Sequence, residues 1–172
     1  MYRLVTGFVS HLMQKQEYSV LIMGLDNAGK TTFLVGRITL SSTVLQFWDL
    51  GGQRDIRSIW PKYYAECHAV VFVIDSTDKE RIEECWAVFE EIVTDSRVDG
   101  VPTLVLANKQ DCEGAMAVED IKQMFNKLIV GKMNVSEGGV LPISALRGDG
   151  IREAVDWLFL RVHNSRQSSL YD

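Results

Sequence analysis

Long hydrophobic runs, paired cysteines and clustered basic residues are all scarce in this chain. No apolar run approaches the roughly 20 residues of a membrane-spanning helix, and the first residues lack the long apolar core of a secretory signal. The cysteines Cys67, Cys85 and Cys112 cannot all pair with one another and show no C-x-x-C spacing. This pattern favours a reducing compartment over a secreted disulfide scaffold, so we expect a cytosolic or peripherally membrane-bound protein.

The charge balance also excludes a class of partners. The net charge is −5 and no Lys/Arg cluster stands out, which argues against DNA or RNA binding. The length of 172 residues suits one domain, and 47% apolar residues are enough for a packed core.

Short apolar runs alternate with helical patterns after the first twenty residues. Continuous runs of this length are typical of strands buried on both faces of a parallel sheet. The predicted strands are Tyr18–Met23, Ala69–Asp75, Thr103–Ala107 and a weaker one at Val140–Ile143. Helical spacing follows Thr77, a possible N-cap, and recurs over 118–128 and 151–162. We therefore predict an α/β fold of three layers, with ligands at the carboxyl ends of the strands.

A phosphate-binding pattern follows the first predicted strand. Residues 24–31 fit G-x-x-x-x-G-K-[ST] between a strand and a helix, where backbone N–H groups and the helix N-terminus can hold phosphate oxygens. Lys30 should reach the β- and γ-phosphates, and the Thr31 hydroxyl should bind Mg²⁺. A glycine-rich turn without a ligand is the alternative. The candidate nucleotide-binding residues here are Gly24, Asp26, Asn27, Ala28, Gly29, Lys30, Thr31 and Thr32.

Two further motifs lie at predicted strand ends. Asn108-Lys109-Gln110-Asp111 follows the third strand, where the Asp111 carboxylate can accept both donors of guanine; adenine offers no such pair. The stretch WDLGGQ, residues 48–53, offers Asp49 as a Mg²⁺ ligand, the Gly52 N–H for a γ-phosphate and Gln53 to orient the attacking water. Taken alone, each motif has a plainer explanation as a polar loop or an Asp-Gly turn.

The motifs GLDNAGKTT, WDLGGQ, NKQD and Ser144-Ala145-Leu146, in this order, resemble the ADP-ribosylation-factor family of small GTPases. Within it, FWDLGGQ and residues 62–68 are most similar to its ADP-ribosylation-factor-related branch. The resemblance implies a small G-protein fold of the P-loop NTPase type, a mostly parallel sheet with one antiparallel edge strand. It also implies a Mg²⁺-dependent GTP/GDP switch with Ser144, Ala145 and Leu146 at the base, and a setting in Golgi and trans-Golgi vesicle traffic.

The resemblance further implies partners. We expect an exchange factor, an activating protein, effectors that contact Trp48 and Tyr63, and a monomeric state. Three segments are expected along the chain. Residues 1–16 show an amphipathic pattern that predicts either a reversible membrane helix or a helix packed on the domain. Residues 17–163 should form the GTPase domain, and residues 164–172 a polar tail. Tyr2 excludes the family's N-myristoylation, which requires glycine at that position.

The segment after the phosphate loop is too short for a family-type fold. Only fifteen residues, 33–47, separate the phosphate loop from Trp48, whereas a family-type fold needs roughly 25 to 35 residues for a helix, a switch loop and two strands. Gly36 should end the first helix after about one turn, and 37–40 and 43–47 predict a β-hairpin. The first switch is therefore missing, together with its Mg²⁺-binding threonine and its effector phenylalanine. We expect uncovered apolar sheet surface and impaired hydrolysis.

Three functions compete on these grounds. The first is a GTPase switch, and the second is a non-enzymatic module that holds GDP or no nucleotide and competes for regulators. The third is an ATP-dependent small-molecule kinase, which Asp111 and the lack of a substrate lid disfavour.

Overall fold

A six-stranded sheet forms the centre of the computed structural model, which describes residues 15–33, 36–132 and 138–168. The strand order is β2-β3-β1-β4-β5-β6, and every pair of neighbours is parallel except β2 with β3. The predicted mostly parallel sheet with one antiparallel edge strand is confirmed. The strands are β1 Gln16–Met23, β2 Arg37–Leu40, β3 Thr43–Asp49, β4 Ala69–Asp75, β5 Thr103–Asn108 and β6 Gly138–Pro142.

Helices cover both faces of this sheet. Alternate residues of β4 point to opposite faces: Val70 and Phe72 pack with α2 and α3, whereas Val71 and Val73 pack with α1 and α4. None of the described helices is both long enough and apolar enough to cross a membrane. The helices are α1 Lys30–Phe33, α2 Ile82–Val93, α3 Val118–Lys132 and α4 Ile151–Ser168, with 3-10 turns at Arg57–Lys62, Tyr64–Glu66, Lys79–Arg81 and Ser96–Val98.

The shortened segment folds as the predicted hairpin. β2 pairs antiparallel with β3, and Ser41, in the turn between them, has a φ of 52°. Gly36 precedes the hairpin with a φ of 70°, a left-handed conformation that favours glycine and does not continue a helix. Residues 34–35 lie outside the described part. The hairpin supplies the two strands that the resemblance requires in this segment, and only the one-turn helix Lys30–Phe33 remains before it.

The expected loss of cover over the sheet is wrong for β1 and the inner part of β3, whereas Leu40 of β2 is 54% exposed. Val20 and Leu45 are completely buried, and Phe47 is 4% exposed. Phe33 explains part of this protection, because its ring packs edge-on against Phe47 with ring centroids 6.3 Å apart. Leu158 of α4 belongs to the same buried cluster. One turn of helix and α4 therefore keep this face packed.

Two local expectations also need correction. Thr77 does not cap the following helix, because its N–H and hydroxyl both donate to Asp75, while the Asp78 carboxylate accepts from the N–H of Arg81. Helix α4 continues to Ser168 and so enters the segment expected to be a polar tail. No glycine or proline interrupts this sequence, so hydrogen bonding continues along the helix. The amphipathic pattern of residues 1–16 lies almost wholly outside the described residues.

Candidate functional site

The phosphate loop connects β1 to α1 at the carboxyl end of the sheet. Lys30 is 6% exposed, and its ammonium group donates to the carbonyl oxygens of Gly24 at 3.1 Å and Leu25 at 2.7 Å. Burial lowers the pKa of Lys30 from its ordinary value, while Asp49 and Asp26 favour the charged form. Two of the three ammonium protons thus hold the loop closed, which leaves one for a phosphate oxygen.

Asn108 connects the phosphate loop to the base loop. Its side-chain amide donates to the carbonyl oxygen of Ala28 at 2.8 Å, and its side-chain oxygen accepts from the N–H of Ala145 at 2.9 Å. The residue is 2% exposed. Gly29 must lack a side chain here, because a Cβ would lie 2.3 Å from the Asn108 amide nitrogen. Asn108, predicted as a nucleotide ligand, is therefore a bridge between the two loops, and it bonds the N–H of Ala145, a residue that the resemblance places at the base.

The carboxylate that should select the base is held in place on two sides. The Asp111 side chain is 9% exposed and lies 3.5 Å from the guanidinium of Arg147. A hydrogen bond from Ser144 lowers the pKa of Asp111, with a further contribution from Arg147. The carboxylate is consequently ionised at neutral pH, and it can accept the two adjacent N–H donors of guanine.

A partly buried ion pair supports the same loop. Lys109 has a φ of 65°, and its ammonium lies 2.5 Å from the Asp75 carboxylate at the end of β4. Burial raises the pKa of Asp75, but hydrogen bonds from Lys109 and Thr77 outweigh this effect, so the net change is a decrease. The pair spans the carboxyl ends of β4 and β5, where Asp75 and Asn108 are opposite in register.

Thr31 and Asp49 provide oxygen ligands for a cation. The Thr31 hydroxyl donates to one Asp49 carboxylate oxygen at 2.8 Å, while the other oxygen is buried and accepts no hydrogen bond from the described residues. An unpaired buried carboxylate oxygen is unfavourable unless a cation or water satisfies it. Mg²⁺ typically uses one or two protein oxygens together with phosphate and water. The two residues fit this requirement, and no cluster of three metal-binding side chains exists among the described residues.

The second-switch segment lies directly on the phosphate loop. A Cβ on Gly52 would lie 2.4 Å from the Gly24 carbonyl oxygen and 2.5 Å from the Asp26 nitrogen, so only glycine fits. Gln53 is exposed, and its carbonyl oxygen accepts from the N–H groups of Ile56 and Arg57 to begin the next turn. The candidate γ-phosphate and water-orienting residues are thus beside the loop that would hold the phosphates.

Comparison with known proteins accounts for this arrangement. The model of the "ADP-ribosylation factor family" matches residues 5–38 and 33–162. The chain belongs to the ADP-ribosylation factor family. It is 41% identical to ADP-ribosylation factor-like protein 3 of Saccharomyces cerevisiae, over 98% of this chain and 97% of that protein. It is 44% identical to ADP-ribosylation factor-related protein 1 of Bos taurus, over 92% and 91%.

A solved structure of a small GTPase shows the same fold. The Arl6 BBS3 small GTPase of Trypanosoma brucei, determined with the nucleotide analogue GppNp, superposes with a TM-score of 0.77 at 24% identity. The similarity covers 87% of this chain and 99% of that one. This likeness shows the fold. The family model and the two relatives make the chain a small GTPase of the ADP-ribosylation factor family, a GTP-binding switch by family membership.

The same comparisons support the conclusion that a segment is missing from this chain. The alignment with the yeast relative spans 193 positions, whereas this chain has 172 residues, so at least 21 aligned positions have no residue here. The two family-model matches overlap at residues 33–38, which places the break just after the phosphate loop. This member of the ADP-ribosylation factor family therefore lacks residues where the first switch is expected.

The two predicted effector residues, Trp48 and Tyr63, lie side by side on the surface. Trp48 and Tyr63 are 48% and 39% exposed, and with Ser19, Leu21 and Glu66 they line a groove of about 100 Å³. Three other predicted nucleotide-binding residues, Asn27, Thr32 and Leu146, are exposed at the rim, with Leu146 81% exposed.

One functional group was not predicted. Arg57, Arg81 and Glu84 form ion pairs beside the phosphate loop of this ADP-ribosylation factor family protein. Their spacing is ordinary for exposed helix and turn residues. Only the i, i+3 pair of Arg81 and Glu84 carries a sequence signal.

Proposed function

We propose that this chain is a Mg²⁺-dependent GTP/GDP switch of Golgi and trans-Golgi vesicle traffic, in the cytoplasm and at the membrane surface. The observation that supports nucleotide binding best is the bridge made by Asn108, which joins the phosphate loop at Ala28 to the base loop at Ala145. A single buried side chain thus fixes the spacing between the site for phosphates and the carboxylate for guanine.

The residues divide the recognition of the nucleotide between them. Lys30 supplies positive charge and the loop N–H groups supply donors for the phosphates. Asp111 accepts the two donors of guanine. Thr31 and Asp49 hold Mg²⁺, which neutralises phosphate charge when bound.

Hydrolysis should be slow. Gln53 lies where it can orient a water molecule, but the threonine of the first switch is missing. Intrinsic hydrolysis in P-loop GTPases is already slow without an activating partner. We therefore propose that this protein exchanges and retains guanine nucleotide more effectively than it hydrolyses GTP.

Membrane association and partners extend the proposal. The amphipathic pattern of residues 1–16 supports weak, reversible binding to lipid, and the groove at Trp48 and Tyr63 suits an effector, an exchange factor or an activating protein. Flotation of the full chain with anionic vesicles, loaded with a GTP analogue or GDP, tests this. No flotation in either state would refute the lipid-binding part.

The absent first switch favours one alternative. A protein that senses the γ-phosphate poorly would hold GDP or no nucleotide, and would compete for regulators without signalling. The same protein would be a non-enzymatic binding module.

One experiment separates these functions. The protein is purified under native conditions and its bound nucleotide is extracted. Mg²⁺-dependent binding of GTP, GDP and ATP and single-turnover phosphate release are then measured, with Gln53→Leu as the hydrolysis control. Guanine binding with phosphate release that Gln53→Leu abolishes supports the switch. Guanine binding without release supports the module, and no guanine binding by a folded sample refutes both.

A further inference from the structure

Four charged side chains and one carbonyl form a continuous chain across the nucleotide site. The Asp26 carboxylate of the phosphate loop accepts from Arg81 at 2.9 Å, and Arg81 also donates to Glu84 at 3.0 Å. The second Glu84 oxygen accepts from Arg57 at 2.9 Å, and Arg57 donates to the carbonyl oxygen of Gly52 at 2.9 Å. We call this chain of contacts the Glu84 relay.

The Glu84 relay joins the two segments that meet a γ-phosphate. One end holds the phosphate loop, and the other holds the peptide between Gly52 and Gln53 in the second switch. The charges alternate along the relay, so each of its ion pairs joins opposite charges. The Arg57 side chain is 13% exposed, which makes its pair with Glu84 the better shielded of the two carboxylate pairs at Glu84.

The environment keeps both carboxylates ionised. Hydrogen bonds from Arg81 and then Arg57 lower the pKa of Glu84, and a hydrogen bond from Arg81 lowers the pKa of Asp26. Asp26 would otherwise place a free negative charge beside the phosphates. Arg81 neutralises it, and Glu84 fixes the position of Arg81.

We propose that Glu84 is a positioning residue that makes this chain distinguish GTP from GDP. The proposal rests on the proposed guanine-nucleotide function. With the threonine of the first switch absent, recognition of the γ-phosphate depends on Lys30, the Gly52 N–H and Gln53. The relay bonds the Gly52 carbonyl and so holds the segment that carries the last two groups beside the phosphate loop. GDP does not need this segment, because it has no γ-phosphate. Loss of the relay should therefore weaken GTP binding selectively.

The test compares two substitutions on one helix. Glu84→Gln keeps the size of the side chain and removes the charge shared by both arginines. Glu83→Gln is the matched control, because Glu83 is exposed and forms no ion pair with the described residues. Calorimetry on the full chain with Mg²⁺ measures the affinity for GDP and for a non-hydrolysable GTP analogue.

We expect Glu84→Gln to bind the GTP analogue about five- to tenfold more weakly, as for loss of partly exposed charged hydrogen bonds. Its GDP affinity should stay within about twofold of the wild type, since Arg81 still pairs with Asp26 at the phosphate loop. The Glu83→Gln control should leave both affinities unchanged. Arg57→Gln, which breaks only the second-switch end of the relay, should show the same selective loss if Glu84→Gln fails to fold.

Several results would overturn the Glu84 relay. If Glu84→Gln weakened GDP and analogue binding equally, Glu84 would only stabilise the fold. If it changed neither affinity, the relay would have no role in nucleotide recognition. Wild-type binding of GDP but not of the analogue would also refute it, while leaving guanine-nucleotide binding intact. Failure of the folded wild type to bind either nucleotide would refute the proposed function itself.

Discussion

Truncation of Phe33 to alanine measures how firmly the shortened segment is packed. Phe33 ends α1, is 2% exposed, and its ring is perpendicular to that of Phe47 at a centroid distance of 6.3 Å. Phe→Ala substitutions in cores cost about 3–5 kcal/mol of unfolding free energy. We expect about 3 kcal/mol, the lower end, because a one-turn helix can partly collapse into the cavity.

Thermal unfolding followed by circular dichroism provides the assay. For a chain of this size about 1 kcal/mol corresponds to about 2–4 °C, so Phe33→Ala should lower the Tm by about 6–12 °C. The GDP and Mg²⁺ concentrations must be saturating and equal for all variants, because a bound ligand raises the apparent stability. Urea unfolding at constant m then gives the free energy directly.

Leu160→Ala is the control for apolar truncation. Leu160 lies on α4 and is 59% exposed, so its substitution should change the unfolding free energy by less than about 0.5 kcal/mol. If Phe33→Ala cost no more than this control, the ring would not be buried in solution. The packing of the shortened segment against β3 would then be wrong.

Three further predictions address the site and the fold. Asp111→Asn should lower GDP affinity by about a hundredfold, since a charged acceptor of guanine is lost. It should raise affinity for xanthosine diphosphate, in which a carbonyl oxygen replaces the guanine amine and can accept from the new amide. Competition against labelled GDP measures both affinities, and unchanged guanine preference would contradict the assigned role. The hydrogen bond from Arg97 lowers the pKa of Asp95 to about 2. The ionised Asp95 side chain therefore stabilises the fold fully above its ordinary pKa of about 4. This stabilisation is lost as the pH falls from about 4 to about 2. The stability difference between the wild type and Asp95→Asn, followed by urea midpoints, should shrink over that interval, and a constant difference would argue against the ion pair. Cys112 is exposed, whereas burial raises the pKa of the Cys85 thiol to about 12. Mass spectrometry should therefore detect alkylation of Cys112 long before that of Cys85. Equal alkylation rates would mean that α2, which carries Cys85, is not packed.

The central strands were predictable because their signal is local. The apolar run at Ala69–Asp75 coincides with β4 at both ends, since polar residues bound it on each side. The hairpin was predictable for a similar reason, because two short β-forming runs flank Ser41 and Ser42. The cap at Thr77 was not, because Asp75, Thr77 and Asp78 are all competent to form such hydrogen bonds. Geometry alone chose Asp78, which caps the 3-10 turn that precedes α2.

The cover of the sheet shows where sequence reasoning about the deletion failed. Counting residues correctly indicated that a helix had become too short, but it could not show which side chains would remain on that face. Phe33 lies on the one remaining turn and contacts Phe47, and Leu158 approaches the same cluster from far along the chain. Burial depends on such distant contacts, and spacing along the chain does not record them.

The amino-acid sequence by itself determined the chemistry of recognition: the glycine spacing and lysine of the phosphate loop, and the carboxylate of the base loop. These are short-range properties, because a loop of eight residues carries its own donors and backbone freedom. Only the tertiary structure decided that Asn108 bridges the two loops and that Glu84 connects Asp26 to Gly52. Those contacts join residues up to 80 positions apart, and many other charged or amide side chains could have made them until the sheet brought these few together.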